Sequence, residues 1–490
     1  MTSSAPARPL SVPAARRDAV LALLLALIAA LPPLLARYPQ MADYPAHLAR
    51  WHVMRDLADN PVLQQAYQFR WAWSGNLGVD LLIQPLAALF GLEAAGRIVV
   101  IALPMLVVLG IFAVERALGR RPGVGTFLAM MTVWSPALLL GFVNFTLSVV
   151  LALFAFALWV KGDGSCWRAW VMVPLSVAVW LCHLSGWGLL GVMVFGHELA
   201  NRGNPLRAAI ATWPLWLPLA LTLLTIKPSP AGSGWGSSVV LVKIHFWTMA
   251  LRDQWQPLDI ACVALLIAAP FVALGRGRID LRLGWAAAGL ALLATFMPRY
   301  LGGGDYADYR LTTLALMLGA LAVNWRPRWP VMALALVPFL IRIALTTQFW
   351  TAGSQEASAV IAGLDRLPQG ARLAVAVRAE DLGWTPLHDS HVGAYATVRR
   401  DALTNANFAV PGVHMLSLRA DAGAKSDPSQ IINVEPGERV DLSRFAPVRD
   451  AQFLLYQGSL PPSALPRGAQ VMHRTAGSML LRLAKAPPSR

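Results

Sequence analysis

The sequence predicts a mainly α-helical membrane protein, with a polytopic bundle of about eleven spanning helices and a small C-terminal α/β domain. The 490 residues are 56% hydrophobic and only 14% charged, whereas soluble domains are about 25% charged. Apolar runs about long enough to span a bilayer recur along the first 349 residues. Beyond that point the long apolar runs stop, and prolines and charged residues become frequent.

The apolar runs mark the candidate spans, because a helix needs about 20 such residues to cross the hydrocarbon core. They cover residues 19–36, 98–117, 124–140, 143–160, 168–183, 185–199, 207–226, 258–275, 283–298, 310–324 and 329–349. The stretch Leu77–Leu92 contains Asp80, Gln84 and Pro85 and is barely long enough to span. It is therefore predicted to be an in-plane or re-entrant helix on the outer surface.

Basic residues gather in the short loops between these runs, and positively charged loops remain on the cytoplasmic side. This rule makes residues 1–18 a cytoplasmic N-terminus and residues 19–349 the membrane domain. The long loop 37–97 and the domain 350–490 are then extracytoplasmic. The rule also explains the net charge of +15. Nucleic acid is not expected as a partner, because no basic patch with interleaved aromatic residues occurs.

The short cytoplasmic loops leave no room for a nucleotide-binding domain. A sugar donor would therefore have to reach the protein at the outer face on a lipid carrier. The cysteines Cys166, Cys182 and Cys262 lack the spacing of metal ligands and are predicted to be packing residues.

The C-terminal domain shows the mixed pattern of an α/β unit. Residues Gln355–Leu367 have helical spacing and end at a Pro-Gln-Gly sequence. The segments Arg372–Val377, Phe453–Tyr456 and Ser478–Leu483 have the composition of strands.

The first outer loop begins with an acid, Asp43, which is followed by His47 and Arg50. Ionisable groups close to a membrane are costly and usually have a function or a partner. Asp43 also fits the N-cap of a helix. Because His47 is four residues further on, it would share a helix face with Asp43, either as a structural hydrogen-bond partner or as a substrate contact.

A second polar cluster lies in the segment 298–310, which holds three glycines and the side chains Arg299, Asp305, Asp308 and Arg310. Glycines beside carboxylates permit the close approach of a polar ligand. The alternative is that Asp308 and Arg310 only anchor a helix end at the lipid headgroups.

Further outer candidates for substrate binding are Asp80, His183 and Arg252. His183 lies in a tight turn between two apolar runs, which favours a structural role. Asn144 begins another apolar run, where capping of its own helix is the favoured interpretation.

These residues carry a resemblance to membrane glycosyltransferases of the GT-C class, which includes protein O-mannosyltransferases and the lipid A aminoarabinose transferase. The class combines an inside N-terminus, a long first outer loop with an early acid, and often a small outer C-terminal domain. The pattern Asp43-Tyr-Pro-Ala-His-Leu-Ala-Arg50 also resembles a family of uncharacterised bacterial multi-pass membrane proteins. Their shared features include sequences like Gly141–Phe145, His183-Leu184 and His391–Val398.

The resemblance implies an enzyme of the bacterial inner membrane that uses a polyprenyl-phosphate-linked sugar and transfers it to a glycan, lipid or protein acceptor. Asp43 would be the catalytic base. Arg299, Arg310 or Arg252 would stabilise the leaving phosphate. Asp305 and Asp308 would hold sugar hydroxyls or a divalent metal ion, although Asp43 has no adjacent second acid of the kind that a metal-dependent mechanism would use.

Two other functions remain open at this stage. One is a non-enzymatic protein that binds or transports a lipid-linked glycan, although no pair of related halves is visible in the sequence. The other is a polysaccharide polymerase or ligase, which would rely on arginine and histidine in a late outer loop.

Overall fold

The computed structural model describes residues 12–225, 233–301, 304–380, 384–409, 415–419 and 429–484. The N-terminal part contains α1 (Val12–Ala29), α2 (Leu31–Leu35), α3 (Tyr44–Asp56), α4 (Pro61–Ala66), β1 (Tyr67–Phe69), α5 (Gly78–Phe90) and α6 (Leu92–Ala117). The predicted helix at Leu77–Leu92 is therefore a separate helix, α5. It is divided from α6 by Gly91, whose φ of 79° favours glycine.

The middle of the chain is helical. It contains α7 (Val124–Ala129), α8 (Pro136–Leu140), α9 (Val143–Lys161), α10 (Trp167–Cys182), α11 (Leu184–Arg202), α12 (Pro205–Ala211), α13 (Leu217–Thr225), α14 (Val239–Thr248), α15 (Gln256–Gly275), α16 (Leu281–Phe296), α17 (Tyr309–Ala322) and α18 (Trp329–Leu364). Three predicted runs are interrupted. The run 19–36 is divided at Ala30 between α1 and α2. The run 124–140 forms α7 and α8 with a 3₁₀ turn between them, and the run that begins at residue 207 is bent by 50° between α12 and the following helix.

Four helices within the described residues are long and apolar enough to cross a membrane: α6, α9, α15 and α18. The bent pair that includes α12 and α13 would be a fifth span. The other predicted spans are shorter apolar helices of 10–17 residues or, for 19–36 and 185–199, the helices α1 and α11. The chain is thus mainly helical with several candidate spans.

The short basic loops lie together at one end of this bundle. Arg121 pairs with Asp18 of α1 at 2.8 Å, and Arg120 pairs with Asp280, which precedes α16, at 3.3 Å. The loop after α17 joins them, because its Asn324 donates to the carbonyl of Arg278 at 2.8 Å. The N-terminal end of α1 and three loops therefore share one face of the molecule.

The C-terminal part forms a mixed sheet. Its elements are β2 (Arg372–Glu380), α19 (Tyr395–Arg400), β3 (Leu403–Thr404), β4 (Leu416–Leu418), β5 (Ile431–Val434), β6 (Phe453–Gln457), β7 (Gln470–Arg474) and β8 (Ser478–Arg482). Strand order is β3-β2-β6-β8-β7, with β5 also paired to β2. The parallel pairs involve β2, whereas β8 is antiparallel to both neighbours. The three predicted strands correspond to β2, β6 and β8.

The predicted helix at Gln355–Leu367 is not a separate element, because α18 continues without a break from Trp329 to Leu364. Residue 350, the predicted start of the C-terminal domain, therefore lies inside a helix of 36 residues. The Tyr38 backbone N–H donates to the Ser354 hydroxyl at 2.9 Å. A Cβ on Gly353 would lie 2.4 Å from the Gln40 side chain. The part of α18 around Gly353 and Ser354 therefore packs against the loop 37–97.

The loop 37–97 and the C-terminal domain are joined by a two-stranded antiparallel ribbon, in which β1 pairs with β4 from Tyr67↔Leu418 to Phe69↔Leu416. Beside it, the Asp401 carboxylate accepts hydrogen bonds from His52 at 2.7 Å and from Asn60 at 2.8 Å. The Tyr67 hydroxyl donates to the carbonyl of Ala402 at 3.0 Å. These contacts attach the C-terminal domain to the same end of the bundle as the Asp43 loop.

Candidate functional site

Asp43 stands immediately before α3, whose first turn contains Pro45. Proline favours a helix start, because its missing N–H would be unsatisfied there in any case. Asp43 occupies the N-cap position, but its carboxylate accepts no capping hydrogen bond from this helix. The side chain is 21% exposed. Capping therefore does not explain why an acid stands at this position.

A glycine turn lies directly against Asp43. Gly141 adopts a φ of 102°, and a Cβ there would lie 2.8 Å from the Asp43 Cβ. The Asp43 backbone N–H donates to the carbonyl of Leu140 at 2.9 Å. Both the left-handed conformation and the close approach require glycine at 141. The acid is thus fixed to the turn between α8 and α9.

His47, Arg50 and Asp80 form a connected network behind Asp43. His47 contacts the carbonyl of Gly141 at 3.2 Å and the Arg50 guanidinium at 3.3 Å. Arg50 pairs with Asp80 at 2.6 Å, and both side chains are buried. Because Asp80 also accepts from Trp51 at 2.6 Å, Arg50 and Asp80 hold α3 against α5. Their positions support the site but do not favour direct substrate binding.

The interpretation of Asn144 as the cap of its own helix is wrong. Phe142 occupies the cap position of α9. The Asn144 carbonyl oxygen accepts instead from the backbone of Val79 at 2.6 Å, and its amide donates to Asp80 at 3.2 Å. Asn144 therefore caps α5, a helix that is distant in sequence, and joins it to the Asp43 region.

The C-terminal domain contributes His391, which the sequence did not indicate as a site residue. Its Nδ1 lies 4.0 Å from a carboxylate oxygen of Asp43 and 3.1 Å from the carbonyl oxygen of Ala42. Its Nε2 contacts the side-chain amide of Gln430 at 3.2 Å. The ring of Phe408 packs edge-on against both His391 and His47, with centroids 5.1 Å apart in each case. The only signal in the sequence was the shared motif His391–Val398.

Arg310 brings a positive charge to the same region. Its guanidinium contacts His183 Nε2 at 2.9 Å and lies over the Phe142 ring, 4.2 Å from the centroid. Burial opposes its positive charge most strongly, and the nearby carboxylates of Asp43 and Asp305 favour that charge. Within the described part of the chain Arg310 has no ion-pair partner within 4.0 Å, and its buried Nε makes no hydrogen bond. The site thus holds a cation that no described residue neutralises by direct contact.

His183 has the structural role that its turn predicted. Its Nδ1 accepts from the backbone of Ser185 at 3.0 Å and so caps α11. Burial and, second, the Arg310 guanidinium lower the pKa of His183 well below its usual value. A neutral imidazole has only one acceptor nitrogen, so Nδ1 serves the cap and Nε2 lies against the Arg310 guanidinium as a packing contact.

A small cavity of about 20 Å³ lies beneath Arg310. It is lined by apolar side chains, mostly of α6, α9 and α17, and by the hydroxyl side chains of Thr132, Ser135, Thr146 and Thr313. This volume holds about one water molecule, so a lipid chain would have to lie outside it.

The other members of the second cluster have partners of their own. Arg299 pairs with Asp305 through two bonds of 2.6 and 2.7 Å. Asp308 is fully buried, caps α17 and pairs with Lys243 at 2.5 Å. Arg252 donates to the carbonyls of Trp384 and Thr385. Among the acids of this cluster, Asp305 comes nearest to the site, because its backbone carbonyl accepts from Arg310 at 3.2 Å; Gly302 and Gly303 lie outside the described residues.

We call the group of Asp43, His47, Gly141, Arg310 and His391 the Asp43 site. Within the described residues, no group of three or more His, Cys, Asp and Glu side chains is arranged to hold a metal ion. Asp305 and Asp308 each have a basic partner from the chain, so neither is set up as a ligand pair with the other. Comparisons with protein-family models, with curated proteins and with solved structures find no match.

Proposed function

We propose that the protein is a membrane glycosyltransferase of the GT-C type, which moves a sugar from a polyprenyl-phosphate donor to an acceptor at the outer face of the inner membrane. The observation that carries this proposal is the Asp43 site. A partly exposed carboxylate without a capping bond lies near a cation that has no ion-pair partner in the described chain. Such a pair suits a reaction that removes a proton at one point and releases an anion at another.

In this mechanism Asp43 accepts the proton of an acceptor hydroxyl as a general base. The acceptor oxygen forms a bond to the anomeric carbon, and the bond from that carbon to the donor phosphate oxygen breaks. The departing polyprenyl phosphate carries the negative charge. Arg310, which lies against the neutral ring of His183, stabilises that charge. The polyprenyl chain would lie along the apolar outer surface of the bundle.

We also propose the full topology of about eleven spans, with the N-terminus in the cytoplasm and the C-terminal domain in the periplasm. Two structural facts support it. The ribbon of β1 and β4 requires the first outer loop and the C-terminal domain to share one side. The basic loops that meet through Arg120, Arg121 and Asn324 lie together at one end of the bundle, as the positive-inside rule expects of cytoplasmic loops.

Cysteine labelling tests these sides. In a Cys166→Ser background, which removes the exposed native thiol, cysteines are introduced at the exposed positions Arg276 and Arg444. A membrane-impermeant maleimide applied to spheroplasts should label the variant Arg444→Cys and should label Arg276→Cys only after lysis. The reverse pattern would contradict both the topology and the extracytoplasmic site.

The activity is tested with Asp43→Asn, which keeps the shape of the side chain and removes the basic charge. A positioned general base contributes about 10²- to 10⁴-fold, so transfer should fall by at least about 10²-fold while the protein still inserts. The matched control is Asp59→Asn, an exposed acid of the same loop, which should transfer normally. The assay compares lipid extracts for accumulation of the lipid-linked sugar and envelopes for loss of the modified product.

If Asp43→Asn and Arg310→Gln both retain normal product, the enzyme proposal is wrong. A protein that binds or transports a lipid-linked glycan would then be preferred. If only Arg310→Gln loses product, and the lost product is a polymerised glycan, a polysaccharide polymerase or ligase would be the better assignment.

A further inference from the structure

We infer that the C-terminal domain completes the Asp43 site by supplying His391 as a positioning residue, which holds the peptide group that carries Asp43. This inference rests on the proposed function, because it assigns to His391 a role in the reaction proposed for Asp43. It concerns a part of the chain that is distant from Asp43 in sequence, since His391 and its contact Ala42 are separated by 349 positions.

The peptide group between Ala42 and Asp43 is held on both sides by different parts of the protein. Its N–H donates to the carbonyl of Leu140 at 2.9 Å, in the turn of the membrane domain. Its carbonyl oxygen lies 3.1 Å from Nδ1 of His391, in the C-terminal domain. A peptide held through both its N–H and its C=O cannot rotate freely, so the direction of the Asp43 side chain depends on both contacts.

The contact fixes the tautomer of His391. A backbone carbonyl can only accept a hydrogen bond, so Nδ1 must carry the proton that it donates to Ala42. The Ser390 hydroxyl, 3.0 Å from the same nitrogen, then acts as an acceptor. In the neutral ring Nε2 accepts from the amide of Gln430 at 3.2 Å. The Nδ1 proton also points to the side of the ring on which the Asp43 carboxylate lies, at 4.0 Å.

The segment that delivers His391, residues 384–391, is itself fixed on the membrane domain. Trp384 donates to Asp259 at the start of α15 at 2.8 Å. Arg252 donates to the carbonyls of Trp384 and Thr385. The His388 ring packs edge-on against Phe349 of α18, with centroids 4.5 Å apart. This fixation gives Arg252, a predicted substrate ligand, a positioning role instead.

The chain that follows His391 is also held in place, by the sheet of the C-terminal domain. His391 is buried, with 4% of its side chain exposed. Two residues later, a Cβ on Gly393 would lie 2.4 Å from Val375 of β2, so the chain is packed directly against the sheet. The imidazole is therefore carried by a rigid support, which is the requirement for a group that must hold a catalytic side chain within a fraction of an ångström.

Two substitutions of His391 that differ by one methylene distinguish the hydrogen bond to Ala42 from the volume of the side chain. His391→Asn places a side-chain amide N–H where Nδ1 stands and can still donate to Ala42. His391→Gln places its amide near the position of Nε2 and cannot. Because misplacement of a catalytic group by about 1 Å can cost about 10²-fold, His391→Gln should lose about 10- to 10²-fold in transfer. His391→Asn should stay within about 3-fold of the wild type, as should the control His473→Asn, a histidine of the same domain that contacts Ala359 of α18 and not the site.

A second readout does not depend on activity. In full-length protein with Cys166→Ser, the thiol of Asp43→Cys is modified with a small methanethiosulfonate reagent, and the rate is compared in three backgrounds. The rate should be unchanged by His391→Asn and raised several-fold by His391→Gln, because only the latter frees the peptide. The rate at Ser443→Cys, remote from the site, should be the same in all three backgrounds and corrects for global unfolding.

The outcomes are distinguishable. Equal transfer and equal thiol reactivity for His391→Asn and His391→Gln, with Asp43→Asn inactive, would overturn the positioning role and leave the proposed function intact. Normal product in every variant, Asp43→Asn included, would overturn the proposed function; the thiol rates would then decide alone whether His391 holds this peptide. Unequal transfer with equal thiol rates would also reject positioning, because His391 would then act on substrate directly.

Discussion

Asp43 and Asp308 occupy the same position relative to a helix, since each precedes the first turn of one, yet their surroundings are opposite. Asp308 is fully buried, caps α17 and pairs with Lys243 at 2.5 Å. Asp43 is partly exposed and accepts no capping bond, and the nearby charged group of Arg310 has no direct ion-pair partner among the described residues. The comparison teaches that a carboxylate neutralised within the fold is a structural element. A cation that lacks an ion-pair partner among the described residues, and that lies near a partly exposed carboxylate, is suited to bind an anionic substrate.

The largest expected effect concerns stability. Asp308→Asn leaves the buried ammonium of Lys243 without its carboxylate, and breaking a buried pair costs about 3–5 kcal/mol. Thermal unfolding of the purified protein in detergent should therefore shift strongly to lower temperature, whereas transfer per folded molecule stays near normal. A second substitution, Lys243→Met, should recover much of the loss. If Asp308→Asn instead loses transfer at unchanged stability, the two acids do not differ in the way that we infer.

The second effect contrasts two arginines of the same cluster. Arg310→Gln removes the unpaired cation and should reduce transfer by about 10²- to 10³-fold, the cost typical of a lost donor to a developing anion. Arg299→Gln removes a cation already bound to Asp305 by two hydrogen bonds and should reduce transfer by less than about 10-fold. Similar losses for both variants, at equal protein level, would show that direct pairing in the fold does not identify the functional arginine.

The smallest effect concerns a third acid, Asp401, which attaches the C-terminal domain to the first outer loop. Burial would raise the pKa of Asp401, but hydrogen bonds from His52 and Asn60 outweigh it and lower the pKa below the usual 3.8. A lowered pKa in the folded state contributes stability above the unfolded value, and this contribution is lost as pH falls through the folded value. Asp401→Asn should thus cost about 1.5–3 kcal/mol at pH 7 and progressively less below about pH 3.8.

Hydrogen exchange of the ribbon of β1 and β4 at neutral and acid pH measures this dependence. Tyr67→Phe serves as its control, because it removes two neutral hydrogen bonds of the same contact, one donated to Ala402 and one accepted from Asn407. Its effect should be about 1–3 kcal/mol and should not vary between neutral and acid pH, since burial raises the pKa of Tyr67 to about 12. If the stability difference between wild type and Asp401→Asn is the same in acid as at neutral pH, the lowered pKa of Asp401 does not contribute in the expected direction.

The sequence was sufficient for features that depend on local pattern. Apolar runs predicted most helices, and alternating apolar residues predicted β2, β6 and β8, because burial on one face leaves a periodic record. The interruption between α7 and α8 also had a local signal, Ser135-Pro136: Ser135 caps α8 by accepting from Leu138 at 3.2 Å. That signal is weak beside a run that is otherwise mostly apolar.

Features that depend on distant partners could not be predicted in this way. Asn144 looks like the cap of its own helix, but its acceptor is used by Val79, 65 positions away. Arg50 and Asp80 look like substrate ligands because both are polar in an outer loop, yet each neutralises the other. The role of His391 depends on a contact with Ala42 that no local pattern records. Asp43 was predictable as a candidate, whereas the composition of its surroundings was not.

The ribbon of β1 and β4 also sets the order of assembly during synthesis. β1 leaves the ribosome long before β4, since Tyr67 and Leu418 are separated by more than two thirds of the 490-residue chain. Until β4 has been synthesised, β1 is an edge with unpaired backbone groups, a state that exposes a nascent chain to wrong pairing. The loop that bears Asp43 is therefore complete only after β4 has been synthesised. A chain truncated before β4 would hold Asp43 in a loop whose strand β1 has no partner strand.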